Sequence, residues 1–481
     1  MAGFTAVAYA TYSVLLHSLH YGSFAYDLGI FDQTFWHWSN LETPRNTITG
    51  LPNELGDHFF PILLLLVPLY WLWSDPQVLL IAQGALLGAA LVPVFLFARS
   101  RVGRLPAYLL TAAYGLFWAV HTAVAFNFHE VAFAPLLIGL TVLAVDRRDW
   151  RSYFVLVVAL LLVKENMALL VAALGGYLLF FRAYRQAAIT FALGVVWFFV
   201  TTQFLIPHFT GGWGFRHWSY IQFGNDLPEA VGTLVSEPWR IFSVLVEPSV
   251  KVKTMLLLFA PFLFLTLFSP LAVLCIPLLA ERMLSVNPNF WTPDMHYSLV
   301  IAPIVVLGAA DGLRRVIALL GAERRSRVVV TAAAAAILIA NAAIATQFRL
   351  SSLADPSFYV KSDEDRVVDR ALSLIPPNVS VTAWTHYVPH LSQRRNIYEL
   401  RGPRTRQGQY LIANTVDYYE ARFPKAGYVD RYFLVRQYSR RYEPIFWQGD
   451  VVVMRRRSRA EIRAASSRGG GRDAAAGRGR S

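Results

Sequence analysis

Long apolar segments, separated by short polar ones, occupy most of the first 347 residues. A helix needs roughly 20 apolar residues to cross a hydrocarbon core about 30 Å thick. Backbone groups in lipid are satisfied only within helices or closed barrels, so these segments predict helices. The pattern predicts about eleven transmembrane helices. They are 2–17, 76–98, 105–124, 131–145, 152–163, 168–181, 187–206, 254–268, 271–284, 297–310 and 328–346.

The apolar segment 62–73 is compatible with a span or with a helix in the membrane interface. Basic residues gather in the cytoplasmic loops of membrane proteins, which decides between the two. With 62–73 in the interface, every arginine cluster falls on one face. These clusters lie at 99–104, 147–151, 182–185 and 314–327. We therefore predict a juxtamembrane helix, with the loops rich in acidic residues and histidine on the opposite, outer face.

The composition changes after Gln347. Residues 362–374 form a candidate amphipathic helix, ended by Pro376 and Pro377. Short runs rich in β-branched and aromatic residues follow it and predict strands. These runs are 379–384, 396–400, 410–413, 432–435 and 450–454.

The predicted fold class is mainly α, a polytopic helical membrane domain with a small extracytoplasmic α/β domain. The transmembrane domain covers 1–347, with a first outer loop at 18–75. The α/β domain covers 348–457, and an odd number of spans places it outside. The tail 458–481, rich in Arg, Gly and Ala, is predicted to be disordered.

Composition agrees with a membrane protein and argues against a nucleic-acid partner and cysteine-based sites. The chain is 55% hydrophobic and 16% charged, which is too apolar for a soluble protein. About half of its net charge of +13 comes from the residues from Arg455 onward, and most of the rest comes from residues that flank spans. The charge therefore does not indicate a nucleic-acid partner. The single Cys275 excludes an intramolecular disulfide and a cysteine metal cluster.

The acidic stretch 26–36 follows the first apolar segment and places Asp27 and Asp32 among aromatic and aliphatic residues. Charged side chains near the membrane are costly, so they mark a candidate functional site. The alternative is an amphipathic interfacial segment whose aspartates face water. On one helix the two would point roughly 140° apart, which argues against a paired acid and base on one face.

Further polar residues gather at the predicted outer ends of spans, where carboxylates, histidine, lysine and arginine together suit an anionic lipid-linked substrate. Each pair also has a structural explanation: a helix N-cap, snorkelling at the interface, or a local ion pair. The outer segment 207–253 contains Arg216, His217 and Trp218, for which interface anchoring is favoured over sugar and phosphate binding. The candidate pairs are Asp57-His58, His129-Glu130, Lys164-Glu165 and Glu281-Arg282.

Several of these motifs together resemble the DUF2079 family of predicted bacterial membrane proteins. The resemblance covers nearly the whole chain except the tail. That family is similar in layout to GT-C glycosyltransferases, which carry an acidic motif in the first outer loop, juxtamembrane helices and often a soluble outer domain. The motifs are Tyr26-Asp27-Leu28-Gly29-Ile30-Phe31-Asp32-Gln33, Asp57-His58-Phe59-Phe60-Pro61-Ile62, Phe128-His129-Glu130, Lys164-Glu165 and Val388-Pro389-His390-Leu391-Ser392.

The resemblance implies that Asp27 is the catalytic carboxylate, which deprotonates the acceptor hydroxyl. Lys164, with Arg282, would offset charge on the departing phosphate. The remaining pairs would orient substrate or hold a divalent cation, and the metal stays open. The first-loop motif has no adjacent pair of acids, so the choice between Asp27 and Asp32 also stays open.

The resemblance further implies a multi-pass protein of the bacterial inner (plasma) membrane. It would transfer a sugar from a polyprenyl-phosphate donor to a cell-envelope glycan or lipid acceptor on the outer face. Two alternatives from other classes use the same residues without chemistry. One is a transporter or flippase of an anionic lipid-linked substrate, and the other is a non-catalytic membrane scaffold whose outer domain binds cell-wall partners.

Overall fold

A computed structural model describes residues 1–320, 326–402, 404–424, 429–458 and 460–461. The chain is mainly helical, with a small sheet near its C-terminal end, which confirms the predicted fold class. It divides into two compact units. The membrane unit comprises 1–15, 38–44 and 51–358, and the sheet unit comprises 16–37, 45–50 and residues from 359 onward. The tail predicted to be disordered lies outside the described residues, apart from 458, 460 and 461.

Helices build the membrane unit. Within the described ranges, four are long and apolar enough to cross a bilayer: Gln77–Val102, Arg104–Ala125, Tyr184–Thr210 and Arg327–Ala345. The other helices of eight or more residues in this part of the chain are Ala2–Ser18, Ala134–Asp146, Trp150–Leu161, Met167–Leu179, Leu227–Ser236, Val250–Phe259, Ala272–Met283 and Ala302–Leu319. Shorter helices and turns include Glu54–Gly56, Glu130–Phe133, Arg240–Val246, Pro288–Trp291, His296–Ser298 and Arg349–Ala354.

The predicted juxtamembrane segment forms two consecutive short helices, Pro61–Leu66 and Val67–Leu72. Together they rise roughly 20 Å, which is less than the hydrocarbon core. Trp71 and Leu72 are exposed, and the indole N–H of Trp71 donates to the carbonyl of Ser39 at 2.9 Å. A short helical segment with exposed apolar side chains is suited to lie in the interface.

The predicted span 254–268 is wrong as a single helix. Helix Val250–Phe259 ends before Pro261, which lacks an amide N–H and cannot continue the hydrogen-bond ladder. Two short turns follow, separated by Leu263 and Phe264 with φ of 55° and 54°. The length of the apolar segment therefore overestimates the length of the helix here.

The sheet unit contains five strands in its described residues: β1 (Val381–Ala383), β2 (Ile397–Glu399), β3 (Tyr410–Asn414), β4 (Tyr442–Gln448) and β5 (Val451–Arg456). Their order is β2-β1-β3-β5-β4. Strand β1 is parallel to β2 and β3, whereas β5 is antiparallel to β3 and β4.

Two helices of the sheet unit differ in whether the sequence pattern predicts them. The predicted helix 362–374 is confirmed as Asp363–Ser373, and the Ser362 hydroxyl caps it by accepting the N–H of Asp365. The predicted strand 432–435 is wrong, because the chain forms helix Phe433–Tyr438 there. Leu434 and Tyr438 are buried one helical turn apart, a spacing that a four-residue run does not reveal.

Parts of the predicted first outer loop belong to the sheet unit. Tyr21, Ala25, Ile30 and Ile48 are buried in one core with residues of strands β1, β2, β3 and β5. Polar contacts join the same segments: the Thr47 hydroxyl donates to the carbonyl of Ile397 at 2.6 Å. The acidic stretch is therefore built into this unit rather than lying alone at an interface.

Candidate functional site

Buried charges from separate loops of the membrane unit contact one another. Lys164 lies in the turn between helices Trp150–Leu161 and Met167–Leu179, and its Nζ is 2.7 Å from Oε1 of Glu130. The two side chains are only 13% and 3% exposed. Burial would lower the pKa of Lys164, but the carboxylates of Glu130 and Glu165 outweigh it and raise that pKa. The lysine is therefore a fixed positive charge.

Glu165 pairs with His58 and not with its neighbour Lys164. Nδ1 of His58 donates to Oε1 of Glu165 at 2.7 Å, and the N–H of Phe59 donates to Oε2 at 3.1 Å. Burial would raise the pKa of Glu165, but the charge and hydrogen bond of His58 lower it to about 2. Burial and Lys164 would lower the pKa of His58, but Glu165 and Asp57 raise it. The local ion pair that the sequence allows is replaced by pairs between distant segments.

Asp57, His58 and His217 fit a metal ion, because one ligand atom from each lies within 4.8 Å of the others. Nε2 of His217 is 3.4 Å from Oδ1 of Asp57, and its ring stacks on His58 at 4.1 Å. The bond to Glu165 occupies Nδ1 of His58, leaving Nε2 as its ligand atom. A carboxylate commonly orients a metal-binding histidine in this way. The donor set suits Zn²⁺ or a similar divalent cation.

Two structural alternatives for the candidate residues do not hold. The N-terminal cap of the juxtamembrane helices is Phe60, so Asp57 does not cap them. His129 and Glu130 are each 2% exposed and do not snorkel to water. The His129 ring instead stacks on His296, with the ring centroids 3.6 Å apart. His129 and Glu130 are therefore interior, whereas Asp57 and His58 are half-buried.

Arg282 carries polar atoms that the surrounding protein does not satisfy. It lies near the end of helix Ala272–Met283 and is 5% exposed. Its Nε donates to the carbonyl of Phe290 at 2.8 Å, but among the described residues neither terminal nitrogen has a hydrogen-bond partner. The neighbouring Glu281 accepts from Asn166 at 3.0 Å. A buried guanidinium with two open nitrogens suits bidentate phosphate binding.

Asp27 lies in the sheet unit, in a turn before helix Ile30–Ser39. Its φ of 85° and ψ of −95° are unusual for a residue with a side chain. Such strain costs on the order of 1–3 kcal/mol and concentrates at functional sites. Asp27 is partly buried, and the exposed Tyr26 beside it holds the guanidinium of Arg401 over its ring at 4.5 Å.

Asp32 has a different environment. Its side chain is fully buried. The Ser392 hydroxyl donates to Oδ2 at 2.6 Å, and Nε2 of Gln393 donates to Oδ1 at 2.9 Å. Both carboxylate oxygens are engaged, which suits Asp32 to hold the acidic stretch in place within the sheet unit.

The membrane unit brings some of the predicted site residues into contact and adds two histidines to them. One group of contacts joins Asp57, His58, Glu165 and His217, and a second joins Lys164 and Glu130. Asp27 and Asp32 belong to the sheet unit. Interface anchoring is the role predicted around His217, and the residue pattern does not mark His296 as a candidate. The only signal for either was a histidine in an outer segment that follows a span.

Comparisons with known proteins address the fold. A sequence profile described as a predicted membrane protein (DUF2079) matches residues 16–452. ArnT from Cupriavidus metallidurans bound to undecaprenyl phosphate aligns with a TM-score of 0.53 and 14% identity, covering 94% of this chain and 97% of that one. The same protein in the apo state aligns with a TM-score of 0.47 and 16% identity, covering 94% and 96%. No curated protein matches the sequence. The likeness to the lipid-bound ArnT establishes a GT-C fold.

Proposed function

The chain belongs to the DUF2079 family of predicted membrane proteins and has a GT-C fold, and from this premise we propose that it is a membrane glycosyltransferase. It transfers a sugar from a polyprenyl-phosphate donor to a cell-envelope glycan or lipid acceptor. The observation that carries the proposal is Arg282, a buried guanidinium whose terminal nitrogens lack partners in the described chain. The binding of undecaprenyl phosphate by ArnT supports the same class of lipid partner.

The reaction needs a base for the acceptor hydroxyl and a positive charge that stabilises the leaving phosphate. The acceptor hydroxyl attacks the anomeric carbon, and the bond between that carbon and the donor phosphate oxygen breaks. The hydroxyl proton goes to a carboxylate, which we assign to Asp27, and polyprenyl phosphate leaves with an added negative charge. Asp27 is preferred over Asp32 because it is only partly buried and lies in a strained turn, whereas Asp32 is fully buried in a regular helix.

Positive charge in the membrane unit meets the phosphate. Arg282 supplies open hydrogen-bond donors, and Lys164 supplies a point charge that Glu130 holds in position. The remaining candidate residues orient the substrate or hold a divalent cation: Asp57, His58, His129, Glu165 and Glu281. The one-sided arginine clusters of the predicted topology support an outer-face position for these residues at the inner membrane. An extracytoplasmic sheet unit is part of the same proposal.

Sugar transfer in reconstituted membranes tests the base. We expect Asp27→Asn to lower the transfer rate by about 10²–10⁴-fold, the range for losing a general base. Asp363→Asn is the matched control, because Asp363 is an aspartate of the same unit with a 96% exposed side chain. Equal rates for wild type and Asp27→Asn would remove the assigned role.

Donor binding tests the phosphate site. Arg282→Gln is expected to weaken binding of the polyprenyl-phosphate donor by about tenfold or more, because a charged hydrogen bond is lost. Arg240→Gln, at a half-exposed arginine, serves as the control. A transporter or flippase would move the lipid without changing its sugar linkage, and a scaffold would do neither. Either result, in place of transfer, would overturn the enzymatic proposal.

A further inference from the structure

A polar cavity lies in the membrane unit, away from the candidate site. Its volume is about 330 Å³. Helix Met167–Leu179 separates the two places, since Lys164 and Glu165 precede it and Tyr177 lines the cavity near its other end. Thirteen residues rise roughly 20 Å along a helix. Helix Ala302–Leu319 also separates the two places, because His296 precedes its start and Arg315 lines the cavity near its end.

Asp311 is the centre of the charges around this cavity. It is 4% exposed, and it accepts from the Ser269 hydroxyl at 2.9 Å and from Nε of Arg315 at 2.6 Å. Arg314 contacts it at 3.3 Å, and Nε of Arg101 also lies 3.3 Å from it. One buried carboxylate therefore gathers three arginines that would otherwise repel one another.

The arginines retain binding capacity after these contacts. Arg101 also pairs with Asp146 and lies over the ring of Phe97 at 4.5 Å, which fixes its position. Within the described chain, Arg314 and Arg315 each use one guanidinium nitrogen on Asp311. Their side chains are 48% and 41% exposed, so their other N–H groups are accessible.

We propose that this cavity binds a phosphate group, as a phospholipid headgroup or a free phosphate compound. Three arginines face two aspartates, which leaves an excess positive charge for an anion to neutralise. Guanidinium groups match phosphate oxygens bidentately, whereas they repel a metal cation. The volume is at the small end of the range for ligand pockets, about 300–1,000 Å³, and fits a headgroup. An anionic lipid is available at this end of the helices, since arginine-rich ends face the cytoplasmic leaflet.

Thermal unfolding of the full chain in detergent tests the site, because a ligand that binds the folded state raises its melting temperature. The probes are phosphatidylglycerol, phosphatidylcholine and inorganic phosphate, each at matched ionic strength. We expect phosphatidylglycerol, inorganic phosphate or both to raise the melting temperature. A response to phosphatidylglycerol alone identifies a headgroup, and a response to inorganic phosphate identifies a free compound. No response to either would overturn the proposal and leave an ion network that only joins helix ends.

Two variants separate binding from folding. Arg314→Gln keeps Arg315 and Arg101 on Asp311 and is expected to weaken the response about tenfold in ligand concentration. Arg315→Lys retains the charge but loses the planar fork, so it is expected to weaken the response less than a neutral variant. Arg147→Gln, at an exposed arginine outside the cavity, is the matched control. An equal loss in Arg314→Gln and Arg147→Gln would show general charge attraction and refute a built site.

Discussion

Asp27 and Asp32 show how two identical residues in one motif acquire different environments. Asp27 has a backbone conformation that glycine adopts more easily, whereas Asp32 lies in a regular helix with both oxygens bonded. Sequence alone left the choice between them open, because both lie among aromatic and aliphatic neighbours. The strain at Asp27 must be maintained by surrounding contacts.

The Asp57, His58 and His217 cluster predicts binding of a divalent cation. We expect Zn²⁺ to bind the chelator-treated protein, and Glu165→Gln to weaken binding by about 10–100-fold because the carboxylate that orients His58 is lost. Affinity is expected to rise with pH. Glu165 and Asp57 raise the pKa of His58, so the proton that competes with the metal persists above the usual histidine range.

Isothermal titration calorimetry measures this affinity across pH. His217→Ala is expected to weaken binding, and His208→Ala is the control, since His208 is exposed and lies nearby in sequence. Unchanged affinity in His217→Ala would rule out the cluster as the site.

At the scale of elements, helix Ala302–Leu319 depends on glycine for its closest contacts. A Cβ at Gly312 would lie 1.9 Å from the carbonyl oxygen of Leu265, and one at Gly308 would lie 2.5 Å from Cγ2 of Thr266. The Thr266 hydroxyl donates to the carbonyl of Val305 at 2.7 Å. The interrupted segment around 260–268 thus packs directly on the backbone of helix Ala302–Leu319. Side chains larger than glycine at positions 308 and 312 would prevent this contact.

Gly312→Ala is therefore expected to destabilise the protein by about 1–3 kcal/mol, because a methyl group has to displace backbone. Gly232→Ala is the control, since a Cβ there meets nothing within 4 Å. It lies inside helix Leu227–Ser236, where alanine is favoured over glycine by up to about 1 kcal/mol. Thermal unfolding in detergent measures both variants, and equal stability of the two would contradict the packing argument.

The elements that could be predicted from the sequence are those with a long, repeated pattern. Apolar segments predicted the helical membrane architecture, and the amphipathic helix 363–373 carried its own cap. The break after Phe259 and helix Phe433–Tyr438 were missed, since one depends on packing and the other on a single buried turn. The same limit applies to the candidate site. Residue types marked Lys164 and His58 as candidates, but their partners lie far along the chain and leave no local signal.

At the scale of the whole molecule, the sheet unit is discontinuous in sequence. Residues 16–37 and 45–50 complete it, although they precede its remaining residues by more than 300 positions. The carbonyl of Arg394 accepts from Gln33 at 2.9 Å, across a separation of 361 residues. The C-terminal part therefore lacks pieces of its own core.

A fragment of residues 359–461 is expected not to fold stably alone. It lacks Tyr21, Ile30 and Ile48, and burying each large apolar side chain is worth roughly 1.5–3 kcal/mol. That loss is comparable to the total stability of a small domain, about 5–15 kcal/mol. Joining residues 16–50 to the fragment through a flexible linker is expected to restore cooperative unfolding by circular dichroism. Equally cooperative unfolding of the fragment alone would contradict this.

Because the sheet unit is discontinuous in sequence, its parts are synthesised at different times. The segment around Gln33 leaves the ribosome early, but its partner Arg394 is made 361 residues later. At about 5–20 residues per second, that interval is roughly 20–70 s. For that time the acidic stretch has no native partner from the sheet. A chain that stops before Arg394 would lack the partners that the sheet unit provides to the acidic stretch. Under the proposed role of Asp27, such a product is expected to be inactive.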